Sequence, residues 1–229
     1  MTTIPANLQA VKQRIAAACA LAGRDPATVE LLAVSKTFPA GAVQAAVAAG
    51  QRRFGESYLQ EALVKMDALA GLELEWHFIG PLQSNKTRTI AERFAWVHSI
   101  ERLRIAERLA DQRPVGLPPL DVCVQVNISG ESSKSGCIPD AAPALCRAVA
   151  ALPRLRLRGL MAIPEPTDDN AVARQRFAGL RTLRDTLVAE GLALDTLSMG
   201  MSHDLDAAIQ EGATLVRVGT AIFGERHYS

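Results

Sequence analysis

The sequence lacks the features that mark membrane, secreted and nucleic-acid-binding proteins. No run of residues approaches the roughly 18 apolar positions that a membrane-spanning helix needs. The start, MTTIPANLQA, has neither the positive flank nor the apolar stretch of a secretory signal. The 25 lysine and arginine residues balance 24 acidic residues, so the chain has no field that would attract nucleic acid or an anionic membrane. We expect a cytoplasmic protein that binds neither.

Cysteines and aromatic residues are also scarce. The four cysteines form no CxxC pair, which argues against redox or metal chemistry and predicts reduced, mostly buried thiols at Cys19, Cys123, Cys137 and Cys146. Aromatic residues make up only 4% of the 229 residues, but 48% are hydrophobic, which is enough for a full core without disulfides or metals. This composition excludes a disordered chain, a collagen and a small disulfide-bonded scaffold.

No linker rich in serine or glycine, charge block or change of composition divides the chain, which predicts a single domain over residues 1–229. Within it, residues 7–22 place Leu8, Val11 and Ile15 at helical spacing. This spacing predicts an extra amphipathic helix at the N-terminus, packed against the body of the protein.

Eight short apolar or β-branched runs alternate with longer segments of helical period. The runs are VELLAVS, RRFGES, LEWHFIG, AWVHSI, LDVCVQVN, RLRLRGLMAI, ALDTLSMG and TLVRVGT. Helical period is clearest over residues 58–69, 101–113, 140–152 and 170–190. Apolar strands separated by helices indicate parallel strands joined by crossovers, and eight such units predict an α/β fold of the (β/α)8 TIM-barrel type. An open doubly wound sheet is the alternative.

Most polar residues that could take part in chemistry lie where the predicted strands end. In a barrel these ends meet on one face, where active sites are found. The strand ends include Lys36, Glu56, Ser57, His77, Gly80, His98, Ser99, Asn127, Met161, Ser198, Gly200, Arg217 and Gly219. The candidate site is therefore predicted at the C-terminal face of the barrel.

Lys36 ends the apolar run LLAVSK, so its aliphatic stem is predicted to lie in apolar surroundings. Desolvation disfavours the ammonium form, and a neutral amine can attack a carbonyl, which makes Lys36 a candidate Schiff-base lysine. The scarcity of lysine strengthens this interpretation, because the chain has five lysines against twenty arginines. The alternative is a strand-end lysine whose ammonium group reaches into solvent.

Two late loops of small residues form a candidate anion site. They are SMGMS at residues 198–202 and VGTAIFGER at residues 218–226. Small residues let backbone N–H groups approach a ligand, and helix starts predicted at Ser202 and Thr220 would add partial positive charge. Barrels commonly bind phosphate after strands seven and eight. A turn is the alternative for the GxxxxG spacing that begins at Gly219, and no Lys-Ser/Thr follows to make it a Walker loop.

Arg217 lies inside the last predicted strand, between two valines, where an unpaired charge is costly. It either forms a buried ion pair with a carboxylate or donates to a ligand in the barrel mouth. The single histidines His77 and His98 have no HExxH context. Solvent exposure and helix N-terminal charge explain Asp204 and Asp206 better than metal binding does. We expect no metal site.

The candidate lysine and the late anion loops together resemble the pyridoxal phosphate homeostasis protein family, which is related to the barrel domain of alanine racemase. The segments that carry the resemblance run over nearly the whole chain. They are LLAVSKTFP, FGESYLQEA, WHFIGPLQSNK, VCVQVNIS with SSKSG, LRGLMAIP and LSMGMSHDLDAAIQEGATLVRVGTAIFGER. The first and the last of these segments are highly specific.

The resemblance implies the cofactor pyridoxal 5'-phosphate (PLP). It implies that Lys36 carries PLP as an imine and that Arg217 faces the pyridine nitrogen. The residues implied at the phosphate are Ser202, Gly219 and Thr220, and those implied to line the site are His77, Met161, Ser198, Gly200 and Met201. Ser57 stands where the family usually has the asparagine of FGENY, which shortens any polar contact there. Phe38 stands where the family usually has the second lysine of SKTKP.

The resemblance implies a protein that holds PLP and takes part in intracellular PLP homeostasis. We expect a monomer that can pass PLP to apo PLP-dependent enzymes without catalysing a reaction. An arginine at the pyridine nitrogen agrees with this, because it keeps the nitrogen unprotonated and weakens the ring as an electron sink. We expect no second domain to supply the opposite base of a racemase, and the only tyrosines are Tyr58 and Tyr228. An amino-acid racemase of the alanine racemase type is the alternative. A class I aldolase-like barrel, which would bind no coloured cofactor, is a third hypothesis.

Overall fold

Eight parallel strands pair in chain order and close into a barrel in which the last strand is hydrogen-bonded to the first. The computed structural model describes residues 3–131 and 135–225. The strands are β1 (Glu30–Val34), β2 (Arg53–Glu56), β3 (Glu75–Phe78), β4 (Trp96–Ile100), β5 (Leu120–Gln125), β6 (Leu155–Met161), β7 (Thr196–Ser198) and β8 (Leu215–Val218). Each strand lies within one of the eight predicted runs, so the barrel is confirmed and the open sheet is wrong.

Helices follow the strands around the outside of the barrel. They are α1 (Ile4–Leu21), α2 (Ala40–Ala48), α3 (Leu59–Ala68), α4 (Thr87–Arg93), α5 (Leu103–Gln112), α6 (Ala142–Ala150), α7 (Asn170–Ala189), α8 (Leu205–Gln210) and α9 (Thr220–Phe223), with 3-10 turns at Pro26–Thr28 and Pro139–Ala141. The extra N-terminal helix, α1, is confirmed. Among the residues that the structure describes, no helix has the length and apolar character needed to cross a membrane.

Helices α2 and α4 were not predicted from the sequence. Helix α2 has the nearly all-apolar sequence AGAVQAAVA, so it shows no contrast between an apolar and a polar face. Helix α4, TRTIAER, has only seven residues, which is too short for a helical period to stand out. Both are short connections whose helical form depends on packing against the barrel.

The prediction that a helix starts at Ser202 is wrong. Helix α8 begins at Leu205, with Asp204 as its N-cap residue. The Asp204 carboxylate accepts a hydrogen bond from the backbone N–H of Met201 at 2.6 Å, and residues 202–204 form a turn ahead of the helix. Ser202 therefore lies in a loop. The predicted start of α9 at Thr220 is confirmed.

Side chains along each strand alternate between the barrel interior and the helix layer. On β1, Leu31 and Ala33 belong to the large hydrophobic cluster that includes the helices, whereas Leu32 lies against Gly55 inside the barrel. Barrel interiors are mostly filled with branched apolar side chains. Five strands of this barrel, β3, β4, β5, β7 and β8, also bury polar side chains, among them His77, His98, Gln125, Ser198 and Arg217. Packing alone therefore does not explain why polar side chains occupy the barrel interior.

Helix α1 fastens the loops that follow β7 and β8. Arg14 forms an ion pair with Asp206 at 2.6 Å and donates a hydrogen bond to the backbone carbonyl of Ser202 at 2.6 Å. The side-chain amide of Asn7 donates to the carbonyl of Ile222 at 2.9 Å. The extra helix thus holds both loops of the candidate anion site.

Charged side chains surround a cavity of about 490 Å³ at the opposite, N-terminal end of the barrel. They are Glu30, Arg53, Glu75, Asp121, Arg156, Arg158 and Asp195. Every one of them is in an ion pair that joins neighbouring strands or the segments that lead into them. In barrels of this kind the N-terminal face contributes stability, and this paired network fits that role.

Candidate functional site

Arg217 is a buried cation with neutral hydrogen-bond partners. Its Nη1 donates to Ser198 Oγ at 2.7 Å, and its Nη2 donates to the backbone carbonyl of Ala162 at 2.8 Å. Burial lowers the pKa of Arg217 to about 10, so the side chain is still protonated at pH 7. Within residues 3–131 and 135–225 no carboxylate forms an ion pair with it. The buried ion pair that was one of the two predicted alternatives is therefore wrong.

Ser198 connects Arg217 to two buried histidines. Ser198 Oγ lies 2.8 Å from His98 Nδ1, and His98 Nε2 lies 2.9 Å from His77 Nδ1. His77 Nε2 lies 2.9 Å from Glu75 Oε1, which borders the N-terminal cavity. Because β4 and β7 are not neighbours in the sheet, these contacts cross the barrel interior. His77 was predicted to line the site, and the structure places it inside the barrel, three hydrogen bonds from Arg217.

The protonation of this row of groups follows from burial. Burial lowers the pKa of His77 and lowers that of His98 well below its usual value, so both imidazoles are neutral at pH 7. The hydrogen bond to His77, together with Arg53, lowers the pKa of Glu75 to about 2. Trp96 stacks on His77 with the ring centroids 5.3 Å apart and the planes 5° apart. The histidines are thus held as neutral, closely packed rings.

Lys36 lies just beyond the end of β1 and is half-buried. Thr37, the next residue, has a φ of 70°, a left-handed conformation that is uncommon outside glycine. Its backbone N–H donates to Glu61 Oε2 of α3 at 2.9 Å, which supports this turn. The turn ends the strand and places Lys36 on the C-terminal rim of the barrel, as predicted for a strand-end lysine.

A buried ion pair lies directly behind Lys36. Lys65 donates to Glu56 Oε1 at 2.7 Å and to the backbone carbonyl of Ser35 at 2.7 Å. The Ser35 hydroxyl donates to the same Glu56 oxygen at 2.6 Å. Burial raises the pKa of Glu56, although Lys65 and Ser35 oppose the shift. This pair was not predicted from the sequence, although Lys65 lies three residues after Ala62 on the buried face of α3, a spacing that could have indicated it.

The loops after β7 and β8 contact each other. Ser202 Oγ accepts a long hydrogen bond of 3.4 Å from the backbone N–H of Ala221 in α9. Gly219 is the N-cap residue of α9, and a Cβ atom there would lie 3.1 Å from the Val34 carbonyl oxygen of β1. Since β8 pairs with β1, this contact brings the start of α9 to the end of the strand that leads to Lys36.

Gly200 joins the loop after β7 to β8. Its φ is 92°, and a Cβ atom at this position would lie 2.5 Å from the Cβ of Ala208. Its carbonyl accepts a hydrogen bond from the backbone N–H of Arg217 at 2.9 Å. Only glycine fits this conformation and this close approach, so the residue has a structural reason in addition to its predicted place in the site.

The other predicted site residues lie at different depths. Met161 is fully buried and packs with Trp96 and Cys123 inside the barrel. Met201 and Ser57 are half-buried, and Thr220 is exposed at the start of α9. The structure therefore brings the predicted residues of β7, β8 and β1 to one rim, and it puts Met161 and His77 deeper in the interior.

Phe38, one of the two departures from the family pattern, contacts the short helix after β8. Its ring centroid lies 5.2 Å from that of Phe223. This contact joins the turn after Lys36 to α9, so the aromatic ring replaces a charge with a packing contact. Outside the described residues lie Tyr228, Lys134 of the SSKSG segment and Arg226 at the end of the predicted anion loop.

The predicted state of the cysteines is confirmed. All four are free thiols; Cys19, Cys123 and Cys146 are buried, and Cys137 is partly buried. Burial raises the pKa of each, to about 11 for Cys137 and about 12 for Cys146. Thiols with raised pKa values are poor nucleophiles at pH 7, so the cysteines do not compete with Lys36 for an electrophile.

Three kinds of group meet at the C-terminal end of the barrel. Lys36 supplies an amine just after β1, the loops at Ser202 and Gly219 supply small residues around a helix start, and Arg217 supplies a buried cation. This set can attack a carbonyl, surround an anion and donate to a buried acceptor that the protein itself does not provide.

Comparison with known proteins gives the family. A family model described as "Alanine racemase, N-terminal domain" matches residues 6–227. A Pseudomonas aeruginosa protein named "Pyridoxal phosphate homeostasis protein" is 65% identical over 100% of this chain and 98% of its own length. The Escherichia coli K12 protein of the same name is 54% identical over 100% of this chain and 99% of its own length.

A solved structure extends the comparison to the fold. PipY of Synechococcus elongatus PCC7942, described as having PLP bound, is 40% identical and covers 92% of this chain and 100% of its own, with a TM-score of 0.80. The resemblance that the sequence motifs indicated is confirmed. The chain belongs to the alanine racemase N-terminal domain family and to the pyridoxal phosphate homeostasis proteins.

Proposed function

We propose that this chain binds PLP at the C-terminal end of its barrel and carries it to apo PLP-dependent enzymes without catalysing a reaction of its own. The observation that carries the proposal is Arg217, a buried guanidinium whose partners are one hydroxyl and one carbonyl. A buried cation of this kind is costly unless a ligand supplies an acceptor. The relative from Synechococcus elongatus holds PLP, which supports this identity for the ligand.

The residues present fit the chemical groups of PLP. In our proposal Lys36 holds the aldehyde carbon as an imine, and Arg217 donates to the pyridine nitrogen. Ser202, Gly219 and Thr220 bind the phosphate through backbone N–H groups and hydroxyls at the start of α9, where the partial positive charge of a helix favours an anion. The barrel as a whole is then the cofactor-binding unit.

The remaining predicted residues shape the site around these contacts. Ser198 and Gly200 orient Arg217 through its side chain and its backbone, respectively. We assign Met161, Met201 and Ser57 to the lining of the site. We assign His77 to the same site, at a deeper position in the barrel interior.

The proposed carrier role rests on what Arg217 does to bound PLP. PLP supplies an aldehyde that exchanges between amines and a ring that can draw electrons from a bound amino acid. An arginine does not readily give its proton to the pyridine nitrogen, so the ring stays a weak electron sink. Racemisation also needs two positioned bases on opposite faces of the substrate. Exchange of the imine with external amines needs neither, which favours a carrier over a racemase.

The experiment that tests the proposal measures binding, transfer and turnover in parallel. Purified protein is titrated with PLP and its visible absorption spectrum is followed, then the loaded protein is mixed with an apo PLP enzyme whose activity reports transfer. Free PLP at the same concentration is the control. We expect a visible absorption band and recovery of the apo enzyme's activity.

The same loaded protein is incubated with L-alanine and other L-amino acids while their chirality is followed. We expect no appreciable racemisation. Turnover at about 1 to 10³ per second would identify an enzyme and overturn the carrier proposal. A protein that never develops the absorption band would overturn the proposed binding of PLP.

We predict that Arg217→Met weakens PLP binding while leaving the fold intact. A hydrogen bond to a charged group contributes about 1.5–3 kcal/mol, so the dissociation constant should rise roughly 10- to 150-fold. Thermal stability should change little, because removing a buried charge offsets the loss of two hydrogen bonds. PLP titration and thermal unfolding check both parts.

Arg113→Met is the matched control for this prediction. Arg113 is also buried, but it donates to the carbonyls of Ala91, Phe94 and Pro118 and lies away from the rim. Arg113→Met also removes a buried charge, but it leaves three carbonyls without their donor where Arg217→Met leaves one, so it should lower stability without changing PLP affinity. The opposite pattern in the two variants would contradict the assignment of Arg217.

A further inference from the structure

We propose that His98 and His77 are positioning residues for Arg217: their hydrogen-bond chain from Glu75 fixes the Ser198 hydroxyl so that it accepts a hydrogen bond from the guanidinium. The contact between Arg217 and a ligand rests on the proposed function. The hydrogen-bond chain from Glu75 to Arg217 does not rest on the proposed function, because all of its members are protein groups. It extends from the cavity at the N-terminal end of the barrel to the cofactor end.

The chain is continuous. Its four contacts are Glu75 Oε1 to His77 Nε2 at 2.9 Å, His77 Nδ1 to His98 Nε2 at 2.9 Å, His98 Nδ1 to Ser198 Oγ at 2.8 Å, and Ser198 Oγ to Arg217 Nη1 at 2.7 Å. All four distances are those of well-formed hydrogen bonds. A chain between β3, β4, β7 and β8 therefore spans the barrel without a gap.

The two end groups, Arg217 and Glu75, determine which group donates and which accepts in every hydrogen bond of this chain. Arg217 can only donate, so the Ser198 oxygen accepts from it and gives its own proton to His98 Nδ1. His98 then carries its proton on Nε2 and donates to His77 Nδ1. His77 likewise carries its proton on Nε2 and donates to the Glu75 carboxylate. One arrangement satisfies all five groups, with both histidines neutral.

Packing and charge keep the chain in this arrangement. His77, His98 and Ser198 are completely buried, so water does not compete for their hydrogen bonds. Trp96 stacks on His77, and Arg53 donates to Glu75 Oε1 at 2.9 Å, which holds the carboxylate end in place. A cation at one end and a carboxylate at the other favour the same direction of all the bonds.

The arrangement affects the ligand through the orientation of Arg217. A serine hydroxyl rotates freely unless both of its hydrogen bonds are defined. With His98 in place, a lone pair of Ser198 Oγ points to Arg217 Nη1. The planar guanidinium is then held at two atoms, Nη1 by Ser198 and Nη2 by the Ala162 carbonyl. Without His98 the hydroxyl can turn its proton elsewhere. The guanidinium then loses one of its two fixed contacts.

The first test uses ligand-free protein with ¹⁵N-labelled histidine and arginine. At pH 7 we expect NMR signals of neutral imidazoles protonated on Nε2 for both His77 and His98, and a slowly exchanging N–H signal from the Arg217 guanidinium. A protonated imidazolium, or an Nδ1–H tautomer at either residue, would overturn the proposed direction of the chain. This result does not depend on whether PLP binds.

The second test compares two replacements of His98. In His98→Asn the side-chain oxygen can take the place of Nδ1 and accept from Ser198, whereas His98→Leu removes the acceptor. We expect His98→Leu to lose the slowly exchanging Arg217 signal, to weaken PLP binding about 10-fold and to shift the visible band of bound PLP. We expect His98→Asn to keep the signal and to bind within about threefold of the wild type.

Phe177→Leu is the control for a general loss of stability. Phe177 is buried in the helix layer on α7, away from the barrel interior. It should lower thermal stability without changing the Arg217 signal or the PLP spectrum. Equal effects of His98→Leu and His98→Asn, or an unchanged Arg217 signal in His98→Leu, would overturn the positioning role. If wild-type protein binds no PLP, the proposed function fails, and the Arg217 signal still decides the positioning role.

Discussion

Lys36→Ala is expected to abolish covalent attachment of PLP, so that the protein is colourless after incubation with PLP and gel filtration. Imine formation needs an amine within reach of the aldehyde while the phosphate is bound. Lys36 follows β1, which is the neighbour of β8, and the start of α9 contacts β1 at Val34. In the proposed complex, an aldehyde on a ligand anchored at α9 would therefore lie near this lysine. No other lysine in residues 3–131 and 135–225 has this relation to the anion loops.

The described alternatives are held elsewhere. Lys65 is buried in its pair with Glu56, and Lys12 and Lys86 lie on α1 and just before α4. Borohydride reduction of the wild-type protein with PLP, followed by peptide mapping, should place the pyridoxyl label on Lys36. Lys12→Ala is the matched control and should retain the absorption band. A main product labelled on any other lysine would contradict the assignment of Lys36.

The barrel could be predicted because strand period and spacing are local properties. Each predicted run contained one strand, and the extra helix before β1 followed from the spacing of Leu8, Val11 and Ile15. The wrong helix start at Ser202 has a local cause as well. The carboxylate of Asp204 bonds to the N–H of Met201 and holds the chain in a turn, a competition between side chain and helix that residue type alone does not decide.

The rim of the site was predictable, but the chemistry behind it was not. Lys36 and Arg217 could be identified because burying a charged side chain at the end of an apolar strand or within one costs free energy unless it has a partner. The hydrogen bond between His98 and Ser198 joins residues 100 positions apart on strands that are not neighbours. His98 belongs to no motif, and the WHFIGPLQSNK segment that contains His77 does not indicate His98 as its partner, so only the closed barrel brings the two together. The same holds for Lys65, whose partner lies on β2.

Lys65→Met is expected to lower the free energy of unfolding by about 3–5 kcal/mol, because it leaves Glu56 buried without its cation. The Lys65 side chain is 5% exposed and that of Glu56 is fully buried. Lys65 also donates to the carbonyl of Ser35, so the variant loses a second hydrogen bond at the residue before Lys36. Denaturant unfolding measures the change. Lys65→Met with Glu56→Gln should recover part of the loss, because no buried charge remains.

The loss in Lys65→Met should depend on pH with a definite sign. Burial already raises the pKa of Glu56 in the folded protein, and removing Lys65 takes away the main opposing effect. The folded variant therefore binds a proton more readily than the unfolded chain, so its stability falls as pH rises from the unfolded to the folded pKa. The deficit should be smaller at pH 5 than at pH 8. A deficit that grows on acidification would contradict the role of Glu56.

Asp67→Asn on the same helix is the matched control for Lys65→Met. Asp67 pairs with Arg93 at 2.5 Å, but the two side chains are 68% and 39% exposed. Exposed ion pairs contribute about 0–1 kcal/mol, so this variant should unfold nearly as the wild type does. If Lys65→Met lowered the free energy of unfolding no more than Asp67→Asn does, the buried pair would not hold the end of β1. With the expected difference, the pair that anchors the carbonyl of Ser35 sets the position from which Lys36 reaches the site.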